Sequence, residues 1–204
     1  KPGLKYGHRI TTVSPSYAAE IQTHEQGCGL DGVLRERRDV LHGVLNGCDY
    51  GVWHPQADTH LVSRFDVKNM NGKADCKAAL QRESGLAVEP EALLLGMVSR
   101  LVEQKGLPLV VDALPAFLNQ HRAQLVVVGE GDAAIESALH ALAQAQPGRV
   151  AFHRAVSEPL AHRVIAGSDV LLVPSRFEPC GLTQMYAMAY GTLPLVHRVG
   201  GLAD

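Results

Sequence analysis

Several patterns that would settle a class at once are missing. The four cysteines, Cys28, Cys48, Cys76 and Cys180, form no CxxC pair and read as reduced thiols in a reducing compartment. The ten histidines make no HExxH or HxxxH pattern, so no structural metal is expected. The longest apolar runs are strand-sized and far short of a membrane span. Neither sign of charge dominates: 19 Lys and Arg stand against 21 Asp and Glu, a net charge of -2. No basic stripe points to nucleic acid, and no acidic tail points to disorder. Repeat periods and low-complexity segments are lacking too. No secretory leader is visible, and the first residue is Lys1. What remains is 204 residues, 46% hydrophobic and 20% charged, as in a soluble globular protein with one sizeable core or two small ones.

The second half alternates. Apolar runs at Leu93 to Ser99, Gln124 to Val128, Val150 to His153, Val170 to Val173 and Leu193 to His197 read as strands. Helical patterns lie between them at Pro108 to Gln120, Ala133 to Gln144, Glu158 to Ala166 and Leu182 to Tyr190. Such alternation predicts βαβ units and a parallel sheet covered on both faces. Before it, Asp75 to Ser84 fits an amphipathic helix. Ile10 to Ser14 is a short β-rich run, and Ser14-Pro15 opens a helix with a Ser cap and Pro at its first position. Asn46-Gly47 reads as a turn pair.

Two strand ends carry chemistry. Strand Val170 to Val173 runs into Pro174-Ser175-Arg176-Phe177-Glu178-Pro179-Cys180-Gly181-Leu182-Thr183-Gln184 and then into a helix. A carboxylate and a glycine turn there sit where doubly wound sheets bind ligands. The free N–H groups of the helix start suit phosphate or sugar oxygens. Strand Leu93 to Ser99 delivers Arg100, with Lys105 close behind. Two cations facing a carboxylate suggest transfer with a phosphate leaving group. On residue types alone, Arg100 and Lys105 also fit solvated surface charges, and Glu178 also fits a cap or a surface ion pair. Cys180 has no activating His within its motif and reads as a small packed thiol rather than a nucleophile. Gly129-Glu130-Gly131-Asp132-Ala133-Ala134 follows a strand and fits G-x-G-x-x-A, which raises a nicotinamide dehydrogenase as a rival. Against it, the next strand ends at His153-Arg154 with no acid for a ribose.

Taken together, Ile10-Thr11-Thr12-Val13-Ser14-Pro15-Ser16-Tyr17-Ala18 with Glu20-Ile21, Gly29-Leu30, Leu45-Asn46-Gly47, Asp49, Trp53, Ser99-Arg100-Leu101, Gln104-Lys105-Gly106, Glu178 to Gln184 and Gly200-Gly201-Leu202-Ala203-Asp204 make the chain resemble the bacterial glycogen synthase and starch synthase family. Those enzymes are retaining glucosyltransferases with a nucleotide-glucose donor. The resemblance implies an α/β fold: a Rossmann-like parallel sheet forming the second domain of a two-domain GT-B glycosyltransferase, plus the end of the first domain. Residues 1–50 would close the first domain, 51–72 would be a linker, and 73–204 would be the nucleotide-sugar-binding domain, cut short at its end. The first domain's start, with its glycine-rich Lys motif, would be missing, and the chain would be a fragment, inactive alone.

By the same resemblance Arg100 and Lys105 hold the distal phosphate of ADP-glucose, and Glu178 acts at the glucosyl group. These three are the expected catalytic residues. Cys180, Gly181, Leu182 and Thr183 bind the donor largely through backbone, while Gly129, Gly131, Gly200 and Gly201 border it. Val156 stands where the family places a Tyr that stacks on adenine, a departure that weakens the platform. Glu158 and His162 keep the register, and His162 reads as a helix-face packing residue. Many other glycosyltransferases hold a metal with DxD, and no DxD occurs here. Side-chain cations would then neutralise the leaving group. The expected partners are the donor, an α-1,4-glucan acceptor and the missing first domain, with no cofactor, nucleic acid or membrane. The expected compartment is the cytoplasm, or the plastid in a plant. A half that binds nucleotide or glucan without turnover is the other alternative.

Overall fold

The computed structural model describes residues 1–154 and 157–204. The chain divides into two compact units. The larger comprises residues 48–174 and 183–196; the smaller comprises 1–47, 175–182 and 197–204.

In chain order the smaller unit starts with α1 (Pro2–Tyr6), β1 (Ile10–Thr12), α2 (Pro15–Glu20), α3 (Asp31–Glu36) and β2 (Leu41–Gly43). β1 and β2 pair in parallel, Ile10 opposite Leu41. Ile10, Ala18, Leu34 and Leu41 make its small core. Ser14 caps α2 as the Ser-Pro pair predicts, its hydroxyl accepting the Tyr17 N–H at 2.8 Å. α1, α3 and β2 are too short to show a period in the sequence. The Asn46-Gly47 turn is not formed. The chain turns later, where the Asp49 carboxylate accepts the Gly51 N–H at 2.9 Å, so an Asx turn replaces it.

The larger unit follows with α4 (Asn71–Glu83), β3 (Leu93–Val98), α5 (Leu107–Gln120), β4 (Ala123–Gly129), α6 (Ala133–Ala145), β5 (Val150–Arg154), α7 (Glu158–Gly167), β6 (Val170–Val173), α8 (Leu182–Ala189) and β7 (Leu193–Val196). Its five strands are all parallel, in the order β5-β4-β3-β6-β7. The order reverses at β3, which makes the carboxyl ends of β3 and its neighbours the natural binding edge. β4 is buried along its whole length, as its apolar run Leu125 to Val128 requires, and its buried Gln124 is hydrogen-bonded to Gln81 and the Ala87 carbonyl. Leu101, Leu107, Leu125 and Leu139 are fully buried in one cluster with Met97 and Val127. Each such leucine contributes about 1.5–3 kcal/mol relative to exposure. α4 begins earlier than its apolar pattern shows. Gly72 in its first turn is buried, and an added Cβ there would lie 2.5 Å from the Arg64 carbonyl oxygen.

Residues 44–70 hold no helix or strand beyond an isolated Asp66–Asn69 bridge and are mostly exposed, but Pro55, Asp58 and Phe65 are buried. Trp53 stacks on His162 of α7 at 3.8 Å and on Tyr186 of α8 at 4.0 Å. Beside it the buried Asp58 carboxylate accepts from Tyr190 at 2.5 Å and lies 2.6 Å from His162 Nδ1. His162 is thus a packed residue inside the unit.

Candidate active site

At the carboxyl edge of β3 and β4 the backbone is held tightly. Arg100 follows β3 with its side chain exposed. The next residue, Leu101, is fully buried and bonds across to the loop after β4. Its N–H donates to Glu130 O at 2.8 Å, and its carbonyl accepts the Asp132 N–H at 2.7 Å. Gly129 and Gly131 make this approach possible. An added Cβ would fall 2.2 Å from the Ser99 oxygen at residue 129 and 2.4 Å from the Leu101 oxygen at residue 131. The two glycines therefore fix the main chain that presents Arg100. Lys105 ends a 3-10 turn, Glu103–Lys105, and is half-buried. Gly106 after it is left-handed (φ 75°) and lies against the Pro174 carbonyl that closes β6. The Lys105 turn is thereby tied to a second strand end.

The same loop answers the dinucleotide reading. In that motif a pyrophosphate sits on the free N–H groups of the helix start. Here the Asp132 carboxylate accepts from Ala134 N–H at 2.8 Å and Ile135 N–H at 3.2 Å. Glu136 accepts the Gly131 N–H at 3.0 Å and pairs with Arg154 at 2.9 Å. Its carboxyl is held below the usual range, chiefly by that backbone N–H and further by Arg154. Two carboxylates already fill the phosphate's place and would repel it, so the fingerprint fails in structure.

In the smaller unit, Glu178 and Cys180 lie in a half-buried turn that packs on Gly200 and Gly201. The Gly201 N–H donates to Glu178 O at 2.8 Å. A Cβ on Gly200 would come 2.1 Å from that oxygen, and one on Gly201 would come 2.2 Å from the Cys180 oxygen. Ser175 Oγ donates to Glu178 Oε2 at 3.1 Å, and His197 Nδ1 lies 3.0 Å from the Ser175 carbonyl oxygen. Gly181 is buried and left-handed (φ 79°), and Leu182 opens α8. Thr183, half-buried, continues that helix in the larger unit.

The structure thus gathers Arg100, Lys105, Gly129 and Gly131 on one strand edge of the larger unit. It gathers Glu178, Cys180, Gly181, Gly200 and Gly201 in one knot of the smaller. Val156 lies outside the described residues. Sequence reasoning missed the roles of Ser16, Glu20, Ser175, His197 and Asp204 around that knot. Apart from Ser175, three residues from Glu178, their partners lie 22 to 190 residues away, so no local spacing announces them. Among the described residues no cluster of His, Cys, Asp or Glu is arranged to hold a metal ion. None of the described helices is long and apolar enough to cross a membrane. A cavity of about 430 Å³ opens instead at the amino end of β4, between Leu118, His121, Arg122 and Arg149. Its cations are already engaged: Arg149 with the carbonyls of Leu118, His121 and Ala123, and Arg122 with Glu89.

The family described as Glycosyl transferases group 1 matches residues 92–204, and the Starch synthase catalytic domain matches residues 1–36. A glycogen synthase of Francisella philomiragia is 54% identical over all of this chain and 42% of its own length. One of Paramagnetospirillum magneticum is 56% identical over all of this chain and 41% of its own. The catalytic domain of Arabidopsis thaliana starch synthase IV, solved with ADP and acarbose, superposes with a TM-score of 0.92 at 37% identity. That alignment covers 98% of this chain and 41% of the plant chain. The chain therefore spans about two fifths of the length of the relatives it matches. With more than half of its residues inside the family match, the chain belongs to the group 1 glycosyl transferases, has their GT-B fold class and is a homologue of the bacterial glycogen synthases.

Proposed function

We propose that the protein carrying this chain transfers glucose from ADP-glucose to the non-reducing end of an α-1,4-glucan, with retention at the anomeric carbon. The observation that carries this reading is the pinned Arg100 backbone at the sheet's reversal point, in a chain 37% identical to a starch synthase solved with ADP and acarbose. As the bond from C1 to the diphosphate breaks, negative charge gathers on the departing oxygen. The Arg100 guanidinium and the Lys105 ammonium stabilise that charge, carried on a main chain that is fixed beforehand. Glu178 stabilises positive character on the glucosyl ring or holds its hydroxyls. The acceptor hydroxyl forms the new C1–O bond on the face the phosphate leaves, and its proton passes to the departing phosphate oxygen. The turn from Cys180 to Thr183 binds the donor backbone-on, with Gly200 and Gly201 beside it and Gly129 and Gly131 supporting Arg100. No cofactor enters this scheme.

The domain assignment belongs to the same proposal: 1–50 the end of a first Rossmann-like domain, 51–72 a linker, 73–204 the donor-binding domain, in a cytoplasmic enzyme. The 204 residues alone are expected to elongate no glucan, because they span only about two fifths of the relatives' length and so only part of the cleft. The test is a protein of the relatives' length carrying these residues. Arg100→Ala and Glu178→Ala should each abolish most glucan elongation without changing the far-ultraviolet dichroism. Full activity in both would overturn the assignment. Binding without turnover in the unmutated protein would favour the non-catalytic alternative. The nicotinamide alternative is opposed by Asp132 and Glu136 at the start of α6, and titration with NAD against ADP separates the two.

A further inference from the structure

Helix α2 is fastened at both ends to the last residues of the chain. At its start, Asp204 accepts from the hydroxyls of Ser14 and Ser16, each at 2.5 Å, and from the Ser16 N–H at 3.1 Å. At its end, Glu20 Oε1 accepts the Gly200 N–H at 2.7 Å. Between these two ties lies the 3-10 turn Gly200–Leu202, the same turn whose Gly201 N–H holds the Glu178 carbonyl. All of these residues belong to one compact unit. Glu20 Oε2 is buried and has no hydrogen-bond partner among the described residues. The other oxygen makes a charge-assisted bond to the Gly200 N–H, a strong tie for that turn.

We propose that Glu20 is a positioning residue: through the Gly200 N–H it fixes the Gly200–Gly201 turn, and through that turn the main chain of Glu178, with Asp204 on Ser14 and Ser16 as the second tie. The proposal rests on the assignment of Glu178 to the glucosyl group. Glu20 touches no reacting atom in this scheme. It sets where the Glu178 carboxylate stands, and a displacement of about 1 Å at such a distance costs as much as 100-fold in rate.

The test uses Glu20→Ala, Glu20→Gln and Asp204→Asn in the protein carrying this chain, with two readouts. Amide exchange at Gly200 should be about tenfold faster in Glu20→Ala, because its acceptor is gone, and near the unmutated rate in Glu20→Gln, which keeps one. Turnover should fall about 100-fold in kcat for Glu20→Ala with the donor KM moving less than about threefold, and Glu20→Gln should recover most of it. Asp204→Asn should give a smaller kcat loss of the same kind, and it keeps the test open if Glu20→Ala does not fold. Unchanged exchange at Gly200 overturns the contact. Faster exchange with unchanged kcat overturns the positioning role, and so does an equal loss in the Ala and Gln variants that follows only their melting temperatures. If instead Glu178→Ala keeps full turnover while Glu20→Ala still speeds exchange, the assignment of Glu178 has failed and the clamp has not.

Discussion

The loops after β3 and β4 are neighbours on one sheet edge, and each leads from a buried strand to a helix. They are opposite in charge. The β3 loop presents Arg100 and Lys105 on a backbone tied to both flanking strand ends. The β4 loop has the glycine spacing of a phosphate binder but closes its helix start with Asp132 and Glu136. Its glycines serve the neighbour: they make room for Ser99 and Leu101, and so hold Arg100 in place. Glycine spacing reports that two backbones come close. The side chains that follow decide whether any N–H is left for a ligand.

The sharpest way to break this contrast is a pair of substitutions in a protein of the relatives' length. Arg100→Ala should lower kcat/KM for the donor about 1,000-fold, near 4 kcal/mol of transition-state stabilisation. Glu136→Gln, one loop away, should leave it within about twofold, since Gln keeps an acceptor for the Gly131 N–H. Steady-state kinetics on both checks the claim.

Gly129→Ala comes next. The new methyl would meet the Ser99 oxygen, so a stability loss of about 1–3 kcal/mol is expected, measured by urea unfolding. Turnover should fall as well, because the shift moves the backbone under Arg100. Asp132→Ala should cost about 1 kcal/mol as a lost helix cap and leave donor turnover unchanged. A variant of either kind that reversed this order would mean that the β4 loop, not the β3 loop, meets the donor.

The smallest effect is on acid stability. Burial alone would raise the Asp58 carboxyl, but hydrogen bonds from Tyr190, the His60 N–H and His162 outweigh it and hold it below the usual carboxylate range. A carboxyl lowered on folding contributes stability that is complete above its unfolded value, about 4, and is lost as pH falls through the lowered folded value. Asp58→Asn should therefore unfold with a flatter dependence on pH below about 4. Trp53, the only tryptophan, stacks on His162 against this carboxylate, and its fluorescence follows the transition.

Much of the larger unit was legible in the sequence because its strands are mostly apolar and α6 and α7 begin at the caps Asp132 and Ser157. Ser14 before Pro15 announced α2 for the same local reason. β2 was not legible: three residues ending in Gly43 become a strand only because β1 pairs with them. The start of α4 was hidden by Asn71 and Gly72, poor helix formers whose place is set by packing on Arg64. In the site, the cations and Glu178 could be named from strand ends. The surroundings could not, because Ser14 meets Asp204 and Glu20 meets Gly200 across nearly the whole chain. Asp132 and Glu136 were in plain view as acids at a helix start, and their spacing was the available signal against a dinucleotide.

Calorimetric titration of ADP, and of adenosine as the control without phosphates, into the unmutated protein and Arg100→Ala in the presence of a chelator tests the central claim most directly. The account expects ADP to bind far more tightly than adenosine, and Arg100→Ala to remove most of that difference. Equal affinity of the unmutated protein and Arg100→Ala for ADP would contradict it.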